Sequence, residues 1–486
     1  MPSFFEVDAQ SDAVKAMAEE WSMLTALIGG TNATRKVGKE LLPQWPKEYV
    51  SDYSLRLKTA TLFPAFSRTC VIMAAKPFAR PINMEGQSPE IENLFENIDR
   101  CGTDLHAFAY NLMLNCMQYG LVGVLADYPT SGGILTKADE TDAGLRPYLS
   151  LYTAPSILGW RIEYDGAEEE LIQLRLLEYV EEPDGQWATK KIKQVRVLTP
   201  GTWEIWRELD PTQQMAQNTK WAIYASGTTT LDKIPFVFFY GNKKQFGIGQ
   251  SPLIDLAYLN VEHYQSASDQ QTILHVARVP VLFAKGFSDI DPIVVGGSSA
   301  VRGTEANSDL KYVEHSGAAI EAGRQSLLDL EDRMRQTGAE LLVQQPMTAT
   351  ATQIMTEREG PRSILQSIVE MFEDSLEAAM HLLGEWIGQD LEVKVELYKD
   401  FSSESLSEAS ANTLLNAERS GIVSKETAFT QLQRSDIVPH EIDWEEETAR
   451  INSQPVLEMP GTAVIPQVPG KVQGAAAQNH KMKVAK

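Results

Sequence analysis

The chain has 486 residues and a formal net charge of −23, from 43 Lys+Arg against 66 Asp+Glu. A hydrophobic content of 43% can build a sizeable core, which excludes a wholly disordered chain, and the length suits roughly three domains' worth of residues or one multi-part subunit. The acidity excludes a protein that grips nucleic acid through clustered Lys and Arg, because phosphate binding needs cations. It does not exclude one that must avoid sticking to DNA.

Val14, Met17, Trp21, Leu24 and Ile28 recur at helical steps and predict an amphipathic helix over 11–28, ended by Gly29-Gly30. Helical stretches follow over about 46–75 and 91–119, the latter carrying Leu94, Phe95, Ile98, Leu105, Phe108, Leu112 and Met113. The apolar run Leu121–Ala126, ended by Asp127-Tyr128-Pro129, predicts a buried strand. From 147 to 240 the period is two: Ile172, Leu174 and Leu176, then Val195 and Val197, alternate with polar residues around the turn Pro183-Asp184-Gly185, and Trp203, Ile205, Trp221 and Ile223 continue the pattern. This block reads as an antiparallel sheet.

Ser251-Pro252 then opens a helix that runs to about His275, Ser as N-cap and Pro at the first helical position. A segment rich in Gly, Asp and β-branched residues spans 276–317, and a second helix spans 318–345. The run Pro346–Thr352 is small and uncharged. A long helix to about Trp386 carries the stripe Ile364, Ile368, Phe372, Leu376, Leu383 and Ile387, and a strand over 391–398 alternates Val393, Val395 and Leu397 with charges. Residues 402–451 are helical again, with a capping box at Ser405 and Glu408 and a helix stop and restart at Gly421 to Ser424. Beyond 452, Pro455, Pro460, Pro466 and Pro469 with glycines and terminal lysines predict a flexible tail. The most apolar short run, Ile234–Tyr240, is far below the roughly 18–20 residues that a membrane span needs, and no signal peptide is read at the N-terminus.

Local chemistry is sparse. Cys70, Cys101 and Cys116 form no CxxC pair, which suits a reducing compartment and builds no zinc framework. None of the seven histidines sits in an HExxH. Gly247-Ile248-Gly249-Gln250-Ser251 completes neither a phosphate loop nor a dinucleotide loop and reads as a turn into the Ser-capped helix; Ser251 lacks the glycines of a nucleophile elbow. Asp289 and Asp291 read as a solvated loop tip rather than a cation site, and Glu445-Glu446-Glu447 as an exposed helix face. No catalytic, cofactor-binding or metal-binding residues are assigned. On pattern alone the neutral run near 346–352 is a linker, although a loop lining a channel would want the same residues. Arg324, Arg333 and Arg335 beside Asp329, Glu331 and Asp332 read as surface pairing, which a symmetric ring would stack into circles of charge.

With residues filled in, the order of elements resembles the portal proteins of tailed bacteriophages, and within them a portal-like family otherwise known as a domain of unknown function. The residues that carry the resemblance run from Leu42-Pro43-Gln44-Trp45-Pro46-Lys47-Glu48 through Tyr53-Ser54-Leu55-Arg56, Phe66-Ser67-Arg68-Thr69 and Lys76-Pro77-Phe78-Ala79-Arg80-Pro81. They continue with Gly120–Gly123, Asp127-Tyr128-Pro129, Arg146-Pro147-Tyr148, Trp160-Arg161 and Gly249 to Leu253, and close with Gly421–Thr427, Leu432 and Glu445 to Ile451. The likeness covers about 40–452; each motif is soft, and their order is the specific part.

The resemblance implies an α+β fold: an elongated portal-type subunit with an α/β wing, a two-helix stem, a small α/β clip and a helical crown, assembling into a ring of on the order of twelve copies. Carried onto this chain, 1–250 is the N-terminal wing of helices and antiparallel sheet, 251–275 the first stem helix, 276–317 the clip and 318–345 the second stem helix. Residues 346–400 are the tunnel loop, long wing helix and strand, 401–451 the crown and 452–486 a flexible tail. The implied function is non-enzymatic. The ring is the channel at one capsid vertex through which double-stranded DNA is packaged and ejected without specific binding, and it docks large terminase and a head–tail adaptor. Major capsid protein and scaffold are further implied partners, and no membrane is. The virion is the implied location, after assembly in the host cytoplasm.

The implied tunnel loop carries Gln344, Gln345, Thr348, Thr350 and Thr352; the implied lumen charges are Glu262, Asp269, Arg324, Arg333 and Arg335; the implied clip contacts are Asp289, Asp291, Arg302, Glu305 and Lys311. One departure stands out. Portals often carry basic residues on the lumen side of the stem, whereas 251–275 has Asp255, Glu262 and Asp269 and no Lys or Arg. A cytosolic enzyme with a site in the 120–240 sheet region, or a scaffold without a channel, are the competing readings; the first needs a convergent set of His, Asp or Ser that the sequence does not display.

Overall fold

The computed structural model describes residues 6–129, 144–166, 168–209, 214, 219–278, 281–285, 307–313, 317–343, 362–401, 424–426, 428–429 and 444–453. The fold is mixed α+β, and the chain divides into two compact units, Met1–Phe401 and Ser402–Lys486.

In the first unit, Ser11 caps α1 (Asp12–Ile28) by accepting the Val14 N–H. Gly29 ends α1 but stays right-handed, so the chain turns directly into α2 (Gly30–Val37) instead of leaving the helical path. The expected helix over 46–75 is two, α3 (Val50–Thr59) and α4 (Ala65–Ala75), separated by an extended link containing Pro64. A short strand β1 (Asn83–Glu85) follows. The expected helix over 91–119 reduces to α5 (Leu105–Tyr119), because Asp104 caps a fresh start; a single turn at Pro89–Glu92 precedes it.

Gly120, left-handed at φ +77°, ends α5 and sends the chain into β2 (Leu121–Asp127). β2 is the centre of a three-stranded antiparallel sheet, with β3 (Tyr148–Thr153) on one side and β9 (Phe236–Tyr240) on the other. Between those two strands the period-two block folds as its own meander, β4 (Ile157–Asp165), β5 (Glu168–Asp184), β6 (Ala188–Thr199), β7 (Thr202–Glu208) and β8 (Trp221–Thr228), each pairing with the next. The expected single sheet is therefore two, and Trp160 bridges them edge-on to Phe238 at 5.7 Å. A hairpin, β10 (Asn242–Gln245) with β11 (Ile248–Gln250), leads out.

Helix α6 (Ile254–Ala277) starts after Ser251, whose Oγ accepts the Leu253 N–H. It is followed by the antiparallel strands β12 (Val281–Lys285) and β13 (Asp309–Val313), then by α7 (Ala318–Ala339), which ends in a tighter turn at Glu340–Leu342. Helix α8 (Ile364–Trp386) begins with a Ser363–Gln366 capping box. Its buried set is Leu365, Ile368, Val369, Phe372, Leu376, Met380 and Leu383. Ile364, expected in that stripe, is 37% exposed, because α8 buries a broad face against β9 and β14 rather than one narrow seam. β14 (Lys394–Glu396) pairs antiparallel with β1 and brings Val393, Val395 and Leu397 into the same core. That core is one continuous cluster running from α1 through α5, the three-stranded sheet, α6 and α8.

In the second unit the described residues include helix α9 (Trp444–Ser453) and a tilted contact between Phe429 and Trp444, 5.3 Å between rings. The expected capping box at Ser405 and the stop at Gly421 lie outside the described residues, as do 454–486.

Candidate functional site

Helices α6 and α7 form an antiparallel pair, and α6 is unusual in what it buries. Asn260, His263, Ser268 and Gln270 are buried along with Leu256, Ala257 and Tyr264. Burying polar groups costs free energy unless they are hydrogen-bonded; the side-chain amides of this helix find partners and tie it down, whereas Ser268 Oγ and His263 Nδ1 have none among the described residues. Asn260 accepts from the Phe66 N–H and donates to the Phe63 carbonyl, at 3.0 and 2.8 Å; Gln265 donates to the Leu41 carbonyl and Gln270 to the Ile320 carbonyl, both at 2.9 Å. His263 lies between the Phe63 ring and the Glu331 carboxylate, 3.7 Å from Nε2; burial lowers its pKa, against the opposing pull of Glu331. Gly323 and Gly338 on α7 leave room for Gln270 and for Thr69 of α4.

The side of α6 turned from these contacts is acidic. Asp255 and Glu262 are exposed and Asp269 half-buried, at seven-residue steps, about two helical turns. Burial raises the Asp269 carboxyl above its ordinary range, with Arg56 pulling it down and Glu48 pushing it up. On α7, Arg324 pairs with Glu321 at 2.5 Å, and Arg335 with Asp332 at 2.5 Å and Glu331 at 3.4 Å. Arg333 is exposed without an ion pair among the described residues. Arg324 and Arg335 are eleven residues apart and share one side of α7, whereas Arg333 is nine residues from Arg324 and faces the opposite way. The three arginines are therefore not one stripe.

Behind α6 sits a knot built from the first motif of the resemblance. Arg56 donates from Nε to Glu48 Oε1 at 2.8 Å and from Nη2 to Glu48 Oε2 at 2.9 Å and the Pro43 carbonyl at 2.7 Å, while its guanidinium covers the Trp45 ring at 4.2 Å. The Arg56 hydrogen bonds hold the Glu48 carboxyl below its ordinary range in spite of burial. The turn that presents Glu48 passes through Lys47 at φ +67°, a left-handed conformation uncommon outside glycine.

The competing site would lie between the two sheets, and a polar seam is there. Arg196 of β6 donates to Asp127 at 2.6 Å, and its Nε lies 2.8 Å from Glu178 Oε1 at an ion-pair distance without a hydrogen bond. Tyr148 donates to Asp127 at 3.0 Å, Tyr152 to Glu178 at 2.5 Å and Gln194 to Glu178 at 2.6 Å. Burial pushes the Tyr152 hydroxyl far above its usual value and Tyr148 to about 12. Burial alone would lower the Arg196 guanidinium; Tyr152, Glu178 and Asp127 more than reverse it. Every carboxylate of this seam is spent on a structural donor, and the adjoining cavity is about 150 Å³. The seam keeps both tyrosines protonated near neutrality through burial. It staples the meander to the three-stranded sheet.

Of the residues named from sequence, Glu262, Asp269, Arg324, Arg333 and Arg335 lie on the helix pair as described. Lys311 is on β13, 3.8 Å from Asp309 and 5.7 Å over the Phe283 ring. Asp289, Asp291, Arg302, Glu305, Gln344, Gln345, Thr348, Thr350 and Thr352 lie outside the described residues. The polar seam was not legible: Asp127 and Arg196 are separated by 69 residues. Of the Glu48–Arg56 knot the sequence displays only two separate runs, Leu42–Glu48 and Tyr53–Arg56, and not their pairing. Among the described residues no helix is long and apolar enough to cross a membrane, and no group of three or more His, Cys, Asp or Glu could hold a metal.

A family model described as "Domain of unknown function (DUF4055)" matches residues 252–387, from the start of α6 to the end of α8. No curated protein matches the chain. Solved structures similar to it include "Neck of empty GTA particle computed with C6 symmetry", at 12% identity and TM-score 0.41, covering 78% of this chain and 92% of that one. Two others are "Virion of native gene transfer agent (GTA) particle", at 12% identity, TM-score 0.40 and coverage of 82% and 98%, and "Neck of native GTA particle computed with C12 symmetry", at 13% identity, TM-score 0.37 and coverage of 82% and 98%.

Proposed function

We propose that the chain is a phage structural protein of the portal type: a non-enzymatic subunit that assembles head-to-tail into a ring at one capsid vertex, through which double-stranded DNA passes during packaging and ejection. In this reading α6 and α7 are the stem, the segment between them is the clip that meets terminase and then the head–tail adaptor, and the neutral run 344–352 borders the channel. ATP is hydrolysed by the packaging motor and not by this chain.

The observation that carries the reading is the α6–α7 pair. Its polar tethers fix α6 to the body of the subunit, and the exposed Asp255 and Glu262 make its free side acidic, with no Lys or Arg on α6. A channel should not bind its cargo, since each phosphate captured by a cation adds a barrier to sliding. Carboxylates repel the backbone, over about 10 Å at 0.1 M salt. The ordered motifs over 40–452 supply the rest of the support. Negative-stain imaging of the purified protein tests the reading: rings with a central hole are expected, and compact particles or irregular assemblies at every concentration and salt would refute it.

A further inference from the structure

The five-stranded meander is held on both of its faces. One face meets the three-stranded sheet through the Arg196 seam. Val195 and Val197 alternate with Arg196 along β6 and so lie on the other face, in a small apolar cluster with Leu158 and Trp221, edged by Leu177 and Trp206. Residues 6–11, which lead into α1, cross this second face as a strap. Val7 is the strap's contribution to the cluster. The Val7 carbonyl accepts from Arg175 Nη1 at 2.9 Å, and the Ser11 N–H donates to the Leu158 carbonyl at 2.8 Å. A Cβ at Gly159 would stand 2.9 Å from Ser11 Cβ, so that glycine lets the strap lie close to β4.

The rest of the hold is ionic and centres on Asp8. Lys193 Nζ donates to Asp8 Oδ2 at 2.8 Å, and Lys220 Nζ lies 3.8 Å from the same oxygen and 3.5 Å from Glu6 Oε2. Both ammonium groups stand over the Trp221 ring, 5.4 and 5.8 Å from its centre. Glu208 lies 3.8 Å from Lys220, and Tyr179 and Glu208 also act on Lys193. Burial alone would raise the Asp8 carboxyl; the two lysines more than reverse it. The Asp8 side chain is 15% exposed and the two lysines 30% and 35%, so dissolved ions reach the cations of this cluster. A single valine is a small apolar hold. Closure of the strap therefore leans on charge, whereas the body of the subunit leans on its large core.

We propose that residues 6–11 are an ionic latch: the strap opens from the meander, ahead of any unfolding of the body, when the attraction between Asp8 and the two lysines is screened or removed. Opening uncovers Trp221 and frees one face of the meander while the Arg196 seam keeps the other docked. The latch is internal to one chain and does not rest on the ring reading.

Hydrogen exchange on the full chain tests it. The Ser11 amide, bonded to Leu158, reports the strap, and the amides of α5 report the body. Raising sodium chloride from about 0.05 to about 1 M is expected to speed exchange of the Ser11 amide roughly tenfold, with α5 unchanged. Asp8→Asn keeps the size of the side chain and removes its charge. It should exchange fast already at low salt, and added salt should change it little. Lys220→Gln, at a half-exposed position, should move exchange the same way by a smaller factor, and it carries the test if Asp8→Asn does not fold. A parent chain indifferent to salt would overturn the latch, as would either variant exchanging like the parent at low salt. Loss of α5 protection in step with the strap would overturn it too, because the strap would then open only with the whole fold.

Discussion

Arg56 and Glu48 close a two-pronged ion pair, 2.8 and 2.9 Å, with side chains only 4% and 5% exposed, on a turn that carries Trp45 over the guanidinium. A buried pair adds little over a well-packed apolar substitute, yet removing one partner strands the other charge. Arg56→Ala should therefore cost about 3–5 kcal/mol of stability in denaturant unfolding. Arg56→Lys should recover only part of it, since an ammonium cannot make both prongs. Glu48 sits below its ordinary value of 4.5, so its share of stability is full above about that pH and is lost as pH falls through the lowered folded value.

Gly120 is held at φ +77°, and a Cβ there would collide with the backbone carbonyl of Gln250; a Cβ on Gly249 would strike the Gly120 carbonyl in turn. Gly120→Ala combines a left-handed backbone with a backbone clash that no side-chain rotation relieves. A loss of about 3 kcal/mol or more, or insoluble expression, is expected. Gly201→Ala, also left-handed but with open space around its Cβ, should cost only about 1 kcal/mol. The contrast in thermal unfolding checks the contact argument separately from the conformational one.

His263 is neutral in the fold because burial lowers its pKa below the ordinary 6.5, in spite of Glu331. The unfolded chain then takes up a proton first as pH falls, so stability is full above about 6.5 and is lost as pH falls through the lowered folded value. His263→Gln should flatten the Tm profile across that window while leaving the value at pH 8 within a few degrees. A profile unchanged by the substitution would show that another group sets the acid limb.

Arg196 holds Asp127 and Glu178 together. Arg196→Met should cost about 3 kcal/mol in denaturant unfolding by leaving two partly buried carboxylates face to face without their cation. Were the seam catalytic, the same variant would abolish an activity without greatly lowering the melting temperature.

Thr350→Lys would put a cation on the proposed channel border. In a packaging assay it should slow or stall DNA entry, most at low salt, because each captured phosphate must be released before the next step. Packaging and ejection at the parent rate in both salts would remove the low-friction role of the run 344–352.

What the sequence by itself determined is local. Periodicity placed α1, α6 and the C-terminal end of α8 to within a few residues and marked the period-two block that holds the meander, because a 3.6 or 2.0 period reports which face of an element is buried. It overran at 46–75 and 91–119, where apolar spacing continues but Pro64 and the Asp104 cap restart the chain. The acid steps at Asp255, Glu262 and Asp269 were visible as spacing. Their exposure was decided by the opposite side of α6, where Asn260, His263 and Gln270 are consumed by α4, Phe63 and α7.

Only the tertiary structure showed that Asp127 meets Arg196, that Asn260 and Gln265 tie α6 to the body of the subunit, and that the Trp45–Arg56 motif ends as a buried knot. Those relations join residues from different elements. Their energy comes from desolvation and from matched donors and acceptors across the contact, and neither exists in the chain until the elements pack.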